Sequence, residues 1–193
     1  MQLSPEERTQ MKAMMGEPYI MELQPTDGGY ASWSVHVNDV LGGAFDGINS
    51  AGLAVALMAD EEAMGQLYEP HGETLRSVGV GELQIVRLLL DTCANGEEAK
   101  HCLLSIKQFY QYVPCHYIIA GAAAQSFVYE NSTGRNHSII VDGGGDPQVC
   151  TNHQVYHYRM DAIPELSMQT NSQWRYATLH NRVNLQDQCT VDE

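Results

Sequence analysis

Apolar positions along the chain change period several times, and the changes mark out its elements. Leu53, Ala54, Val55, Ala56, Leu57 and Met58 form an uncharged run of six. With turn chemistry at Asp46-Gly47 before it and at Ser50-Ala51-Gly52, this run predicts a strand buried on both faces. Upstream, Ser4-Pro5-Glu6-Glu7 has the grammar of a helix start, with Ser4 as cap, Pro5 in the first turn and Glu7 reaching back. That helix fades by Met15-Gly16. A short strand is predicted at Tyr19–Leu23, and residues 33–37 and 41–45 are further strand candidates. From Val80 the period becomes helical: Leu83, Val86 and Leu90, with Ile85 and Leu89 between them, predict a helix through GELQIVRLLLDTC. Asn95, followed three residues later by Glu98, marks the start of a second helix. Its predicted buried face is Ala99, Leu103, Leu104 and Ile106.

The polar tract 61–74, broken by Gly65, Pro70 and Gly72, reads as a surface loop. Beyond Pro114, HYIIA (116–120) and SFVYE (126–130) predict a hairpin. HSIIVD (137–142) and QVCTN (148–152) predict another, around Gly143-Gly144-Gly145-Asp146-Pro147, and residues 172–185 form a last helix. Strands, two helices, strands and a helix, joined by short hairpins, define an α+β protein with an antiparallel sheet.

Composition narrows the function classes. A chain of 193 residues with 44% hydrophobic content is long enough for one domain with a real core. The net charge of −14, from 24 acidic against 10 basic residues, repels a polyanion, so no nucleic-acid partner is expected. Five cysteines, odd in number and irregularly spaced, fit reduced thiols in a cytoplasmic protein better than a disulfide framework. No apolar run approaches the ~20 residues that span a bilayer, and the charged N-terminus lacks a signal-peptide core.

Several residues invite a chemical reading that their spacing does not support. Gly143-Gly144-Gly145 is followed by no lysine and no helix, so it is no phosphate cradle. Cys150, His153 and His157 lack paired-ligand spacing, and neither metal nor cofactor is expected. Cys115 and His116 are adjacent on a strand, so their side chains point to opposite faces and cannot pair as nucleophile and base. Asn49 reads as a turn former.

Five blocks carry a collective signal: DGINSAGLAVALMAD (46–60), VRLLLDTCANGEEAK (86–100), CHYIIAGAAAQSFVYE (115–130), TNH (151–153) and NSQWRY (171–176). In this order and spacing they resemble the linear-amide C–N hydrolases, a family that includes choloylglycine hydrolases, penicillin V acylases, acid-ceramidase-like amidases and the acyltransferase that makes penicillins. The likeness runs from about residue 30 to 176 and is strongest to the acyltransferase branch. It implies an N-terminal-nucleophile hydrolase with an αββα sandwich, incomplete in this chain. It also implies an N-terminal cysteine that attacks an amide carbonyl with its own α-amino group as base. By the match, the oxyanion would be held by the side-chain amide of Asn152 and a backbone N–H at or beside Ala59, with Arg175 bracing the surroundings.

The chain departs from that pattern. The family's cysteine lies upstream of the DGxN block, whereas the first cysteine here is Cys93, and the chain therefore resembles a central-to-late portion of a larger enzyme. The hairpin at 120–125 keeps Gly121 but has Ala124 where relatives carry a residue suited to φ > 0. Three readings stay open: an amide hydrolase or acyltransferase that needs an upstream segment beginning with cysteine; a truncated, inactive homologue that binds an acyl ligand or a partner; and an unrelated α+β binding domain. The partner expected on the first is a small acyl-amide substrate. Sheet edges left unpaired would favour association into a homo-oligomer.

Overall fold

The computed structural model describes residues 4–6, 9, 10, 13, 16–37, 42–60, 79–110, 113–123, 125–132, 137–156 and 170–184. The loop read at 61–74, Ala124 and His157 lie outside them. Seven strands form one antiparallel sheet in chain order: β1 (Tyr19–Leu23), β2 (Ser32–His36), β3 (Asp46–Asn49), β4 (Ala54–Ala59), β5 (Cys115–Ala120), β6 (Ser126–Ser132) and β7 (His137–Asp142). Helices α1 (Glu82–Thr92) and α2 (Gly96–Ser105) connect β4 to β5, and α3 (Asn171–Asn184) follows the sheet. Residues 5, 6, 9, 10 and 13 are helical, as the Ser4-Pro5 start predicts. The class is α+β, and the described residues supply one sheet of the expected αββα sandwich.

Strand alternation sorts side chains between two faces. Val55, Cys115, Tyr117, Ile119, Phe127 and Tyr129 face α1 and α2, where Ile85, Val86, Leu89, Leu90, Ala99 and Leu103 complete a fully buried core. Burying each large aliphatic side chain of this kind contributes about 1.5–3 kcal/mol. Asn95 caps α2 as predicted, with Oδ1 accepting from Glu98 N–H at 3.0 Å. Leu104 departs from its predicted place: it is 59% exposed, because the inward stripe of α2 runs through Ala99 and Leu103, a quarter-turn away.

The opposite face is covered unevenly. Over β5–β7 it meets residues 148–156 and α3, in a cluster of Val128, Val155 and Tyr176 with Ile118 and Val141. Over β1–β3 no described element covers it, and Ile20, Trp33 and Ile48 stand exposed, with Trp33 and Ile48 paired across β2 and β3. Within β4 only Val55 is fully buried and the other residues are half-buried, a correction to the strand buried on both faces.

Three further expectations change. Asp46-Gly47 begins strand β3 and makes no turn. Gly47 stands where β3 passes under α1: a Cβ there would lie 2.6 Å from the Trp33 carbonyl oxygen and 2.7 Å from Leu90 Cδ1. Gly47→Ala should destabilise the protein by about 1–3 kcal/mol by overpacking, read as a lower urea midpoint at unchanged slope; a neutral result would show that the contact relaxes freely. Residues 42–45 form no strand, because the Ala44 N–H turns aside to the Leu83 carbonyl of α1 (3.0 Å). Residues 148–152 form no strand either. Pro147 removes a backbone donor at the start of that segment, and the Gln148 side chain, not its backbone, reaches β7 at the Val141 carbonyl (2.8 Å). The segment then crosses the open side of β5 and β6.

Candidate active site

β4 ends where its peptide groups can be assigned a direction. Leu57 N–H bonds to the Phe45 carbonyl (3.0 Å) and Asp60 N–H to the Pro114 carbonyl of the β5 side (2.8 Å). Peptide groups alternate along a strand, so the N–H and C=O of Ala59 point with those of Leu57, away from β5. The Ala59 carbonyl accepts from Asn152 Nδ2 at 2.9 Å. Arg175 Nη2 donates to Asn152 Oδ1 at 2.8 Å, and Arg175 Nε to Asn171 Oδ1 at 2.8 Å. Residues from the strand end, the loop and α3 thus join in one hydrogen-bonded chain.

That chain fixes the orientation of the Asn152 amide. An arginine can only donate, so the Asn152 oxygen must face Arg175 and its NH2 must face Ala59. Withdrawal of electron density through Oδ1 makes the NH2 a better donor. One of its two hydrogens serves the Ala59 carbonyl, which leaves the second for another acceptor.

The loop that carries Asn152 is held by buried polar contacts. His116 Nε2 donates to the Thr151 carbonyl. Glu130 of β6 accepts from the N–H groups of Val155 (2.6 Å) and Tyr156 (3.1 Å). Gln154 Nε2 donates to Asp60 Oδ2 at 2.9 Å, tying the loop to the residue after Ala59. At the start of α3, Ser172 Oγ donates to Thr151 Oγ1 (3.0 Å), and His153 stacks edge-on against Tyr176.

Two histidines here are driven apart in charge. Burial alone would lower His116, but its contacts with Cys150 and Glu130 outweigh that and hold it up at about 10. His116 Nδ1 lies 3.3 Å from Glu130 Oε1, an ion-pair distance without hydrogen-bond alignment. His153 is lowered, first by burial and then by the His116 charge, so it stays neutral.

Three of the described cysteines are poor nucleophiles. Burial pushes the thiols of Cys93 and Cys115 up and that of Cys102 to about 11, all away from the reactive thiolate. Cys150 Sγ lies 3.9 Å from the Thr151 carbonyl and packs against the apolar cluster under α3. Among the described residues no group of three His, Cys, Asp or Glu side chains could hold a metal.

A cavity of about 450 Å³ lies elsewhere, between β1, β2 and α1, lined among others by Met21, Leu23, His36 and Arg87. Most of its polar floor is paired internally. Arg87 Nη1 donates to Ser32 and Ser34 (3.0 and 3.1 Å) and pairs with Asp91, while Ser34 Oγ meets His36 Nε2 at 2.8 Å. The hydrogen-bonded junction of Ala59, Asn152 and Arg175 is not part of the cavity lining.

Sequence reasoning named those three residues, weighed His116 only as a base for Cys115, and left Glu130 and Gln154 unremarked. One signal was available: the alternation of SFVYE places Glu130 on the same face as Val128, and an acidic residue at an inward strand position requires partners.

Comparison with known proteins bears on the family and the fold. The family model for acyl-coenzyme A:6-aminopenicillanic acid acyl-transferase matches residues 7–189. Among solved structures, the penicillin V acylase from Agrobacterium tumefaciens is similar at a TM-score of 0.55 and 20% identity, over 81% of this chain and 49% of that one. Two variants of the conjugated bile acid hydrolase from Clostridium perfringens align at TM-scores of 0.47 and 0.49 and 16% identity, over 83% of this chain and 44% of theirs. The chain spans about half the length of the acylase, and the likeness to it is one of fold, the N-terminal-nucleophile hydrolase type. No curated protein matches the sequence. The family match runs through every segment that supplies the junction, and the chain belongs to the acyl-coenzyme A:6-aminopenicillanic acid acyl-transferase family.

Proposed function

We propose that the whole protein cleaves or remakes linear carbon–nitrogen amide bonds of small acyl amides, and that this chain supplies the oxyanion half of the site. The observation that carries the reading is the hydrogen-bonded chain from Arg175 through Asn152 to Ala59. When a nucleophile adds to an amide carbonyl, the oxygen becomes anionic, and donors already aimed at it lower the barrier. The second hydrogen of Asn152 Nδ2 and the Ala59 N–H, which points to the same edge, are the two donors. Arg175 touches neither reacting atom; it holds the Asn152 amide with its NH2 forward.

The attacking group on this reading is an N-terminal cysteine thiolate. It adds to the carbonyl carbon, the C–N bond breaks, and the amine leaves with a proton from the α-ammonium group. Water or an amine then takes the acyl group, giving hydrolysis or transfer. Cys93, Cys102, Cys115 and Cys150 are not the nucleophile on this reading, in keeping with the raised thiols of the first three and the packing of Cys150 against the cluster under α3.

The test is amine release from a panel of N-acyl amides with graded acyl chains, with the acyl adduct mapped by mass spectrometry. Turnover with the adduct outside those four cysteines is expected. An adduct on one of them would overturn the assignment of the nucleophile. Acyl-amide binding without turnover would favour an inactive, binding-only homologue.

A further inference from the structure

We propose that His116 and Glu130 are positioning residues for Asn152, a buried imidazolium–carboxylate pair that clamps the loop backbone on both sides of it. The inference rests on the reading of Asn152 as an oxyanion donor. His116 is fully buried and Glu130 is 3% exposed, on a sheet face otherwise lined by Ile118 and Val128. Burying two charges costs several kcal/mol per ion before their attraction is counted, and apolar residues of similar volume often replace such a pair without loss of stability. Stability alone therefore does not account for this pair.

What the pair does is visible in its remaining contacts. His116 Nε2 donates to the carbonyl of Thr151, the residue before Asn152. Glu130 accepts from the N–H groups of Val155 and Tyr156, three and four residues after it. A neutral imidazole that gives its Nε2–H to the Thr151 carbonyl would turn the Nδ1 lone pair toward the Glu130 carboxylate 3.3 Å away, whereas the imidazolium makes that contact an ion pair. The charge on His116 is thus what lets one side chain link β6 to the loop. With both flanks fixed, the Asn152 side chain keeps its place between Ala59 and Arg175. A displacement of 1 Å at such a group is worth about 10²-fold in rate.

Other groups facing the pair are Cys150 and His153 of the loop, Asp60 after β4 and Tyr176 of α3. Their combined effect leaves His116 above the ordinary imidazole value. A group raised on folding contributes stability that is complete below its unfolded pKa, about 6.5. That contribution is lost as the pH rises through the folded value of about 10. The melting temperature of the wild type should fall across this window, and that of His116→Gln should not follow it.

The decisive experiment compares Glu130→Gln, His116→Phe and His116→Gln in the full chain, by hydrogen exchange of residues 150–156 and by amide-turnover kinetics. Glu130→Gln and His116→Phe should speed exchange in that loop about tenfold, with the β2–β3 amides unchanged. They should lower kcat about tenfold to a hundredfold with KM within about a factor of two. His116→Gln, which keeps one donor for the Thr151 carbonyl, should recover part of kcat. Wild-type loop exchange in folded Glu130→Gln and His116→Phe would overturn the proposal. If the wild type turns over no amide, the functional reading falls, while loop exchange still decides the clamp by itself.

Discussion

Asn152→Ala should lower kcat for amide turnover about 10²- to 10³-fold, the range for loss of one oxyanion donor, while the protein stays folded. The side chain is only part-buried, and its removal leaves Arg175 able to bond to water, so the stability loss should be near 1 kcal/mol. KM should change little, because the lost interaction forms only as charge develops on the oxygen. Asn152→Asp sharpens the test. Its carboxylate still satisfies Arg175 but presents lone pairs to the Ala59 carbonyl and to the oxyanion, so it should lose at least as much activity as alanine. Steady-state kinetics on a soluble N-acyl amide measure both, and a kcat within about threefold of wild type in either variant would remove Asn152 from the oxyanion hole.

Asn49→Ala carries the largest expected effect on stability, about 3–4 kcal/mol, because its amide makes four hydrogen bonds, three of them buried. Oδ1 accepts from the N–H groups of Ala51 (3.1 Å) and Leu53 (3.0 Å), closing the turn before β4. Nδ2 donates to the carbonyls of Leu90 (3.0 Å) and Cys93 (2.7 Å), two of the groups that the end of α1 leaves without helical partners. One side chain thus joins the turn to the helix end, with Gly52 inside that turn at φ 87°, a conformation open to glycine. Asn49→Asp keeps the acceptor and loses both donors, so it should be no better than alanine. Urea denaturation at constant slope measures the loss; less than about 1 kcal/mol would mean that backbone rearrangement or water replaces the clamp.

Much of this fold was readable from neighbouring residues. The period of Leu83, Val86 and Leu90, the Asn95–Glu98 cap and the β5–β6 hairpin each rest on contacts within a few positions, and all three stand in the structure. The misreadings share one cause. Asp46-Gly47 has the composition of a turn, yet Gly47 is required by the approach of Leu90 and Trp33 from elsewhere in the chain. Residues 148–152 have the composition of a strand, yet the Thr151 carbonyl is claimed by His116 and the Val155 N–H just beyond by Glu130.

The site divides in the same way. A match of blocks in order named Asn152, Ala59 and Arg175, because family patterns keep residue types at fixed places along a chain. Which atom of Asn152 faces Arg175, and which backbone group of Ala59 it meets, depends on contacts that span 23 and 93 positions. Local propensity and periodicity act over a few residues, so the sequence by itself determined most of the elements and, through the family pattern, the residues proposed to carry the chemistry. Only the tertiary structure decided the direction of each donor and the buried charge pair behind the Asn152 loop, since burial and hydrogen-bond geometry arise once distant segments have packed.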